Sequence, residues 1–404
     1  GTMSILSDTQ LALKRSSEAL RKTEGISKWD PKATTLPVLY MSGDISGMDK
    51  DNAVDLTYVY GDRTGTLSCK WQGSSSLAYP KKNFTIKFDT AFEAKEGWGE
   101  QKKYCLKANY IDASHARNII SATLWGQMVK SRSGVNSRLK NLINGGAIDG
   151  FPVLVFINNE YQGLYTWNIP KDKWMFGMGD GTKEAIICAE THTDATRFKA
   201  SAEVDGTDFE LEHVSDEDNS SWVATSVNTL IGYCNISSPN MNLISKYVDI
   251  NSAIDYCIFT CFVEGTDIYS KNYILGTYDG TKWIFSAYDL DTTFGNQWTG
   301  KGYDRYNKLS FANLGANHKL MELILKNKKT ELVARYKELR ADILSEGNLL
   351  YLLSNFICGI PHAAYEMESV IWPEIPGTMS NNISQIMEHM RLRLAWLDAE
   401  INAM

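Results

Sequence analysis

The chain has 404 residues, 43% of them hydrophobic and 22% charged, with a formal net charge of −7. That length and apolar content favour one large two-lobed unit or two domains over a single small one. The acidic balance argues against non-specific nucleic-acid binding, and no apolar run approaches the roughly 20 residues that span a bilayer.

Gly1-Thr2-Met3 reads as an expression scar rather than a signal peptide, so a soluble chain is expected. The seven cysteines are odd in number and scattered through apolar segments. Cys257 and Cys261 stand four apart on a predicted helix, a spacing that a metal pair could use. With no second pair or nearby histidine, buried free thiols are the better reading.

Ser7–Lys22 is predicted helical, with Leu13 and Leu20 on one side, and Pro31–Thr35 is a linker. From Leu36 the pattern turns to strands at Pro37–Met41, Asp55–Tyr60 and Thr66–Trp71. Period-two alternation and glycine-bounded turns predict an antiparallel sheet. A Gly73-Ser74-Ser75-Ser76 turn follows, then Lys81 and Lys82, then a strand Phe84–Phe88 carrying Lys87. Such a turn is ordinarily only a turn. Backbone N–H groups and hydroxyls at Gly73, Ser75 and Ser76 can nonetheless cradle phosphate, with Lys82 and Lys87 neutralising its oxygens.

The segment Asn109–Lys130 is predicted to enter a helix capped by Asp112 or Ser114, with Ile120, Leu124 and Met128 on its buried face. Two strands, Phe151–Ile157 and Gly163–Trp167, and a third at Lys183–Glu190 follow. Asp205–Asp218 is acidic and reads as a solvated insertion; the alternative is an electrostatic guide for a basic substrate. After Val223 the pattern is mainly helical, with segments at Asn251–Val263, Lys319–Lys326, Thr330–Leu344, Asn348–Cys358 and Asn381–Asn402. The boundaries drawn are 1–35, 36–190 (strand-rich) and 191–404 (mainly helical).

At the junction lies Glu264–Gly295, which reads as loop, strand, Asp279-Gly280 turn, strand, loop. A hairpin brings its two ends side by side, so Asp267 and Asn272 are placed next to Asp289 and Asp291. Oxygen ligands gathered there suit a hard divalent cation such as Mg²⁺. Taken singly, Asp267 could be a helix-end cap and Asp289 a turn residue.

The order resembles protein kinases, in which a catalytic Asp precedes a metal-binding Asn and a second metal-binding Asp stands near Phe-Gly. Asp267-x₄-Asn272 has the first spacing, and Asp289-Leu-Asp291 with Phe294-Gly295 supplies the second in altered form. Lys87 resembles the kinase strand lysine, but the helix after it carries no Glu. Its partner by sequence could be Glu93, Glu96, Glu100 or Glu160, and the helix offers Arg117 and Asn118 instead.

Further stretches resemble the spore coat protein H (CotH) kinase family. They are Trp71–Ser76 with Pro80-Lys81-Lys82 and Ile86-Lys87-Phe88, Leu106–Asp112 with Arg117-Asn118, Phe156–Asn158 with Tyr161–Tyr165, and Leu394–Asp398. Tyr288 and Asn168 stand where relatives commonly show Trp and Glu. The resemblance implies an α+β, two-lobed atypical protein-kinase-like fold. It also implies transfer of phosphate from ATP, with Mg²⁺ or Mn²⁺, to Ser or Thr of a secreted, spore-coat or phage-particle protein. By position Asp267 is the catalytic Asp, Asn272 and Asp289 hold metal, and Asp291 assists. Two rivals stand beside it. Asp289-Leu-Asp291 also fits the metal-diphosphate motif of sugar-nucleotide transferases, and a non-catalytic structural component on a kinase-like scaffold would use none of these groups.

Overall fold

The strand Asn83–Phe92 (β4) shows how the first sheet is built: Phe84, Ile86 and Phe88 are buried while Lys87 between the last two and Asp89 after them are exposed. Val38–Ser42 (β1), Val54–Tyr60 (β2) and Arg63–Gln72 (β3) repeat that alternation, Gln101–Lys107 (β5), Gly150–Ile157 (β6) and Glu160–Asn168 (β7) are buried in runs, and the seven strands close a barrel in the order β1-β2-β3-β4-β5-β7-β6. The computed structural model describes residues 29–179, 181–302, 304–376 and 383–404; the helix predicted at Ser7–Lys22 lies outside them. Phe84, Leu106 and Trp167 are cross-strand neighbours on one rung of the barrel interior. Trp167 stacks on Phe88 and Phe151, each with ring centroids 5.7 Å apart, and meets Tyr104 at 5.3 Å. Large aromatic rings therefore fill the barrel, and their burial is its main stabilising term.

The expected antiparallel sheet is there from β1 through β5 and on to β7. Its closure is the departure: β1 pairs with β6 in parallel, Leu39 opposite Val155. Closure removes the unpaired edge that an open sheet would expose. The strand β5 had no clear alternation, because its first residues are polar and exposed and Tyr104, Cys105 and Leu106 are then buried in succession.

The described residues form two compact units, each assembled from separated stretches of chain. The first takes residues up to Ala113, Phe151–Asn168 and Cys358–Pro376, and holds the barrel with the helix His362–Ile371 against β7. The second takes Ser114–Gly150, Ile169–Ile357 and the C-terminal residues to Met404. Contiguous boundaries drawn along the sequence therefore differ from these units. The helix Arg117–Ser131 groups with the second because Trp125 packs edge-on against Tyr256 and Phe259 of the helix Ile250–Val263, at 5.6 and 5.3 Å.

In the second unit a four-stranded sheet runs Trp283–Ser286 (β11), Ile274–Thr277 (β10), Ala185–Ala189 (β8) and Phe209–Val214 (β9). The acidic stretch is thus not a solvated insertion throughout. Phe209 and Val214 are buried, and Asp208 is buried as a brace that accepts from Glu203 N and Thr193 Oγ1. Helix Ile250–Val263 is buried from Ser252 onward, and its Asp255 is held by Arg132 and Arg335, each 2.8 Å away. All seven cysteines are free and only Cys358 is exposed, as expected of apolar thiols; burial pushes Cys69, Cys188 and Cys234 up to about 12. No helix of the described residues is long and apolar enough to cross a membrane.

Candidate functional site

The loop that carries Asp267 begins where helix Ile250–Val263 stops. Asp249 caps the start of that helix through Ser252 N, and Glu264 ends it in the left-handed region at φ 53°. The Glu264 side chain is buried. Its Oε2 accepts from Lys308 N at 2.5 Å and Leu309 N at 2.9 Å, Arg393 Nη1 lies 3.3 Å away, and His389 Nε2 stands 3.1 Å from Oε1. Arg393, itself fully buried, also donates to Cys261 O and Tyr306 O at 2.7 Å, and to Leu309 O. The helix end is therefore fixed from several directions before the chain reaches Asp267.

Sheet pairing sets what stands beside Asp267. Ile274 faces Cys188 across β10 and β8, and Asn272 N continues the ladder by donating to Ala189 O at 2.9 Å. The residues just after β8 thus run alongside Asp267–Asn272, and His192 arrives there. Its Nε2 lies 2.8 Å from Asp267 Oδ1 and its Nδ1 lies 2.5 Å from Ser270 Oγ. On the other side, Asn272 Nδ2 donates to Asp267 Oδ2 at 3.1 Å and to Asp267 O at 3.2 Å. Both oxygens of the carboxylate are thereby engaged, while its side chain remains 31% exposed. Asn272, at φ 65°, presents its amide nitrogen to Asp267, and among the described residues its carbonyl oxygen has no hydrogen-bond partner.

The register Ile274 opposite Ser286 puts Asn272 and Asp289 at the same end of the β10–β11 hairpin. Asp289 is exposed and, like Asn272, left-handed, at φ 57°. The turn after it is held by the start of helix Arg117–Ser131. Asn118 Oδ1 accepts from Leu290 N at 3.0 Å, buried Arg117 donates through Nε to Thr293 O at 2.9 Å, and Ser121 Oγ meets Thr293 Oγ1 at 3.2 Å. Asn296 Nδ2 donates to Asp291 O at 2.9 Å, and Phe294 N donates to Val263 O at 2.7 Å. Arg117 and Asn118, on the helix that in a kinase would carry the glutamate, are instead braces of the Asp289–Phe294 loop.

In the first unit Lys87 lies on the exposed face of β4, opposite Ser68 and Lys103. A buried lysine paired with a carboxylate is Lys81, just before β4. It is 1% exposed and donates to Ala108 O at 2.8 Å, Leu164 O at 2.5 Å and Glu368 Oε2 at 2.7 Å, with Tyr165's ring 4.5 Å from its Nζ. Its partner Glu368 comes from helix His362–Ile371, whereas Glu93, Glu96, Glu100 and Glu160 were the expected partners of Lys87. Gly163, at φ +111°, makes the approach possible, since a Cβ there would sit 2.4 Å from Glu368 Oε1. Burial pushes Glu368 above the usual carboxylate range against the pull of Lys81, and burial likewise draws Lys81 down. Lys82 stays at the Gly73–Ser76 turn: its Nζ donates to Leu77 O at 2.5 Å and sits 4.8 Å over the Trp71 ring. In the same turn Ser76 Oγ accepts from Asn83 Nδ2 at 3.3 Å, and a Cβ on Gly73 would come within 2.0 Å of that oxygen.

No group of three or more His, Cys, Asp or Glu side chains among the described residues is placed to hold a metal ion. A Mg²⁺ bound through one or two carboxylates plus substrate phosphates needs no such group. The anchored Asn272 amide, with its oxygen unmatched beside two Asp-bearing loops, fits that kind of donor set.

The described residues thus form an α+β protein with a seven-stranded barrel, and an Asp-x₄-Asn loop and an Asp-Leu-Asp turn stand at one end of its β10–β11 hairpin. The family model described as CotH kinase protein matches residues 69–397, and the chain belongs to that family. No curated protein matches it.

Proposed function

We propose that the protein is an atypical protein kinase that transfers the γ-phosphate of ATP to Ser or Thr of another protein. The two units serve as its two lobes in this reading. The observation that carries it is the Asp267 carboxylate, engaged at both oxygens by His192 and Asn272 yet still open to solvent. A carboxylate held this way can orient an acceptor hydroxyl and take its proton as the oxygen attacks phosphorus, so positioning and electrostatics supply most of the acceleration.

Asn272 and Asp289, with Asp291, would hold Mg²⁺ or Mn²⁺. When bound, that ion would neutralise charge on the ATP phosphates. The Gly73–Ser76 turn with Ser75, Ser76 and Lys82, and Lys87 further along β4, are the groups proposed to meet phosphate oxygens. A secreted, spore-coat or particle-borne acceptor is part of the same proposal, resting on family membership.

Thermal-shift measurement with Mn²⁺ and either ATP or a UDP-sugar tests the reading on wild type and Asp289→Ala. At about 100 times Kd a ligand stabilises by roughly 2.7 kcal/mol. Stabilisation by ATP, lost in Asp289→Ala, is the expected result. A response to UDP-sugar alone would turn the assignment to a sugar-nucleotide transferase, and no response to either would point to a non-catalytic scaffold.

A further inference from the structure

We infer that His192 is a positioning residue for Asp267, set in place by Ser270; this rests on the kinase reading and assigns a residue to it from outside the Asp267–Asp291 stretch. A carboxylate only accepts, so the His192 Nε2 facing Asp267 Oδ1 at 2.8 Å carries the hydrogen. In the Nε2–H tautomer Nδ1 is the acceptor for the Ser270 hydroxyl at 2.5 Å, so that tautomer satisfies both contacts. The chain of donors runs one way, from Ser270 through the ring to Asp267. Ser270 is buried, and it touches Nδ1 rather than the nitrogen that faces Asp267. It therefore serves as an orienting group, and a serine nucleophile is not what this arrangement provides.

The loop bearing His192 is itself firmly held. Thr196 Oγ1 donates to Thr191 O at 2.9 Å, Thr191 Oγ1 to Thr207 O at 2.6 Å, Thr193 Oγ1 to Asp208 Oδ1 at 2.7 Å, and Tyr273 OH to Thr196 O at 2.5 Å. The imidazole thus comes from a rigid turn, the arrangement needed to keep a reacting carboxylate in one orientation. With Oδ1 turned to His192, Oδ2 is the oxygen shared between Asn272 and the incoming hydroxyl.

The test is Mn²⁺-ATP turnover by the 404-residue chain, read as autophosphorylation, in wild type, His192→Ala, His192→Gln, Ser270→Ala, Asp267→Ala and the His192→Ala/Asp267→Ala double variant. Misplacing the carboxylate should lower kcat by roughly 10²-fold in His192→Ala while KM for ATP holds. Gln, whose amide can donate from near the Nε2 position, should recover most of that loss, and Ser270→Ala should lose less than His192→Ala. In the Asp267→Ala background His192→Ala should add nothing, because the two act as one unit. Ring ¹⁵N shifts of His192 should show a protonated Nε2 and a bare Nδ1. Wild-type turnover that is unchanged in His192→Ala, or losses that multiply in the double variant, would overturn the inference alone. A wild type with no metal-dependent ATP response would overturn the kinase reading, and the inference with it.

Discussion

Replacing Lys81 by methionine removes the ammonium that pairs with Glu368 at 2.7 Å while keeping most of the side chain's volume. In the native protein the ammonium spends its three hydrogens on Ala108 O, Leu164 O and Glu368 Oε2, and Glu368 in turn accepts from Leu164 N at 2.6 Å. After Lys81→Met the carboxylate keeps the Leu164 N–H but loses its ammonium partner, in a buried site. Breaking a buried pair from one side costs about 3–5 kcal/mol, because an uncompensated charge is left behind. Glu368→Gln, which strands the ammonium instead, should cost a similar amount. Combining the two removes both charges while the amide still serves Leu164 N, so the double variant should be destabilised by clearly less than the sum, with a coupling energy of roughly 2 kcal/mol. Urea unfolding followed by tryptophan fluorescence reads these costs as shifts in midpoint at constant slope. A loss under about 1 kcal/mol for Lys81→Met, or full additivity in the double variant, would show that the pair is hydrated, contrary to the burial on which the reasoning stands.

His318 lies fully buried against Phe198 and Tyr273, with centroids 4.7 and 5.8 Å away. Burial, with Lys199 and Arg197 adding to it, draws its imidazole down to about 3 from an ordinary 6.5. The unfolded chain therefore binds a proton that the folded chain refuses, and stability falls with pH through the window from 6.5 towards 3. About 1.4 kcal/mol should be lost between pH 7.5 and 5.5, and a His318→Phe variant compared with wild type by chemical unfolding at the two pH values should lack that share. Asn118→Ala would leave Leu290 N without its acceptor, at a cost of about 1–3 kcal/mol. It should also lower ATP turnover by loosening the Asp289 loop; unchanged turnover would show that the loop holds its shape without helix Arg117–Ser131.

Much of the architecture was legible because strands and helices leave their period in the chain. The alternation in Asp55–Tyr60 and Phe84–Phe88 and the apolar run of Asn251–Val263 each mark an element close to its observed span. Strand β5 leaves no period in the chain, because one end is exposed and the other buried at consecutive positions. The helix His362–Ile371 was missed, and with it Glu368, which lies 287 residues from Lys81 along the chain. Lys87 stood out for its place in a strand, but period two turns it to the exposed side and leaves the buried pairing to a lysine before the strand begins.

The sequence by itself determined the hairpin that carries Asn272 and Asp289 to one end, because a tight Asp-Gly turn between two short strands needs only neighbouring residues to form. Tertiary structure alone decided that His192 stands against Asp267, that Arg117 and Asn118 brace the Asp289 turn, and that β6 closes the barrel in parallel with β1. Each of these is a contact between residues far apart in the chain. Such contacts depend on the register of strands and the packing of buried side chains, and local pattern carries no record of either.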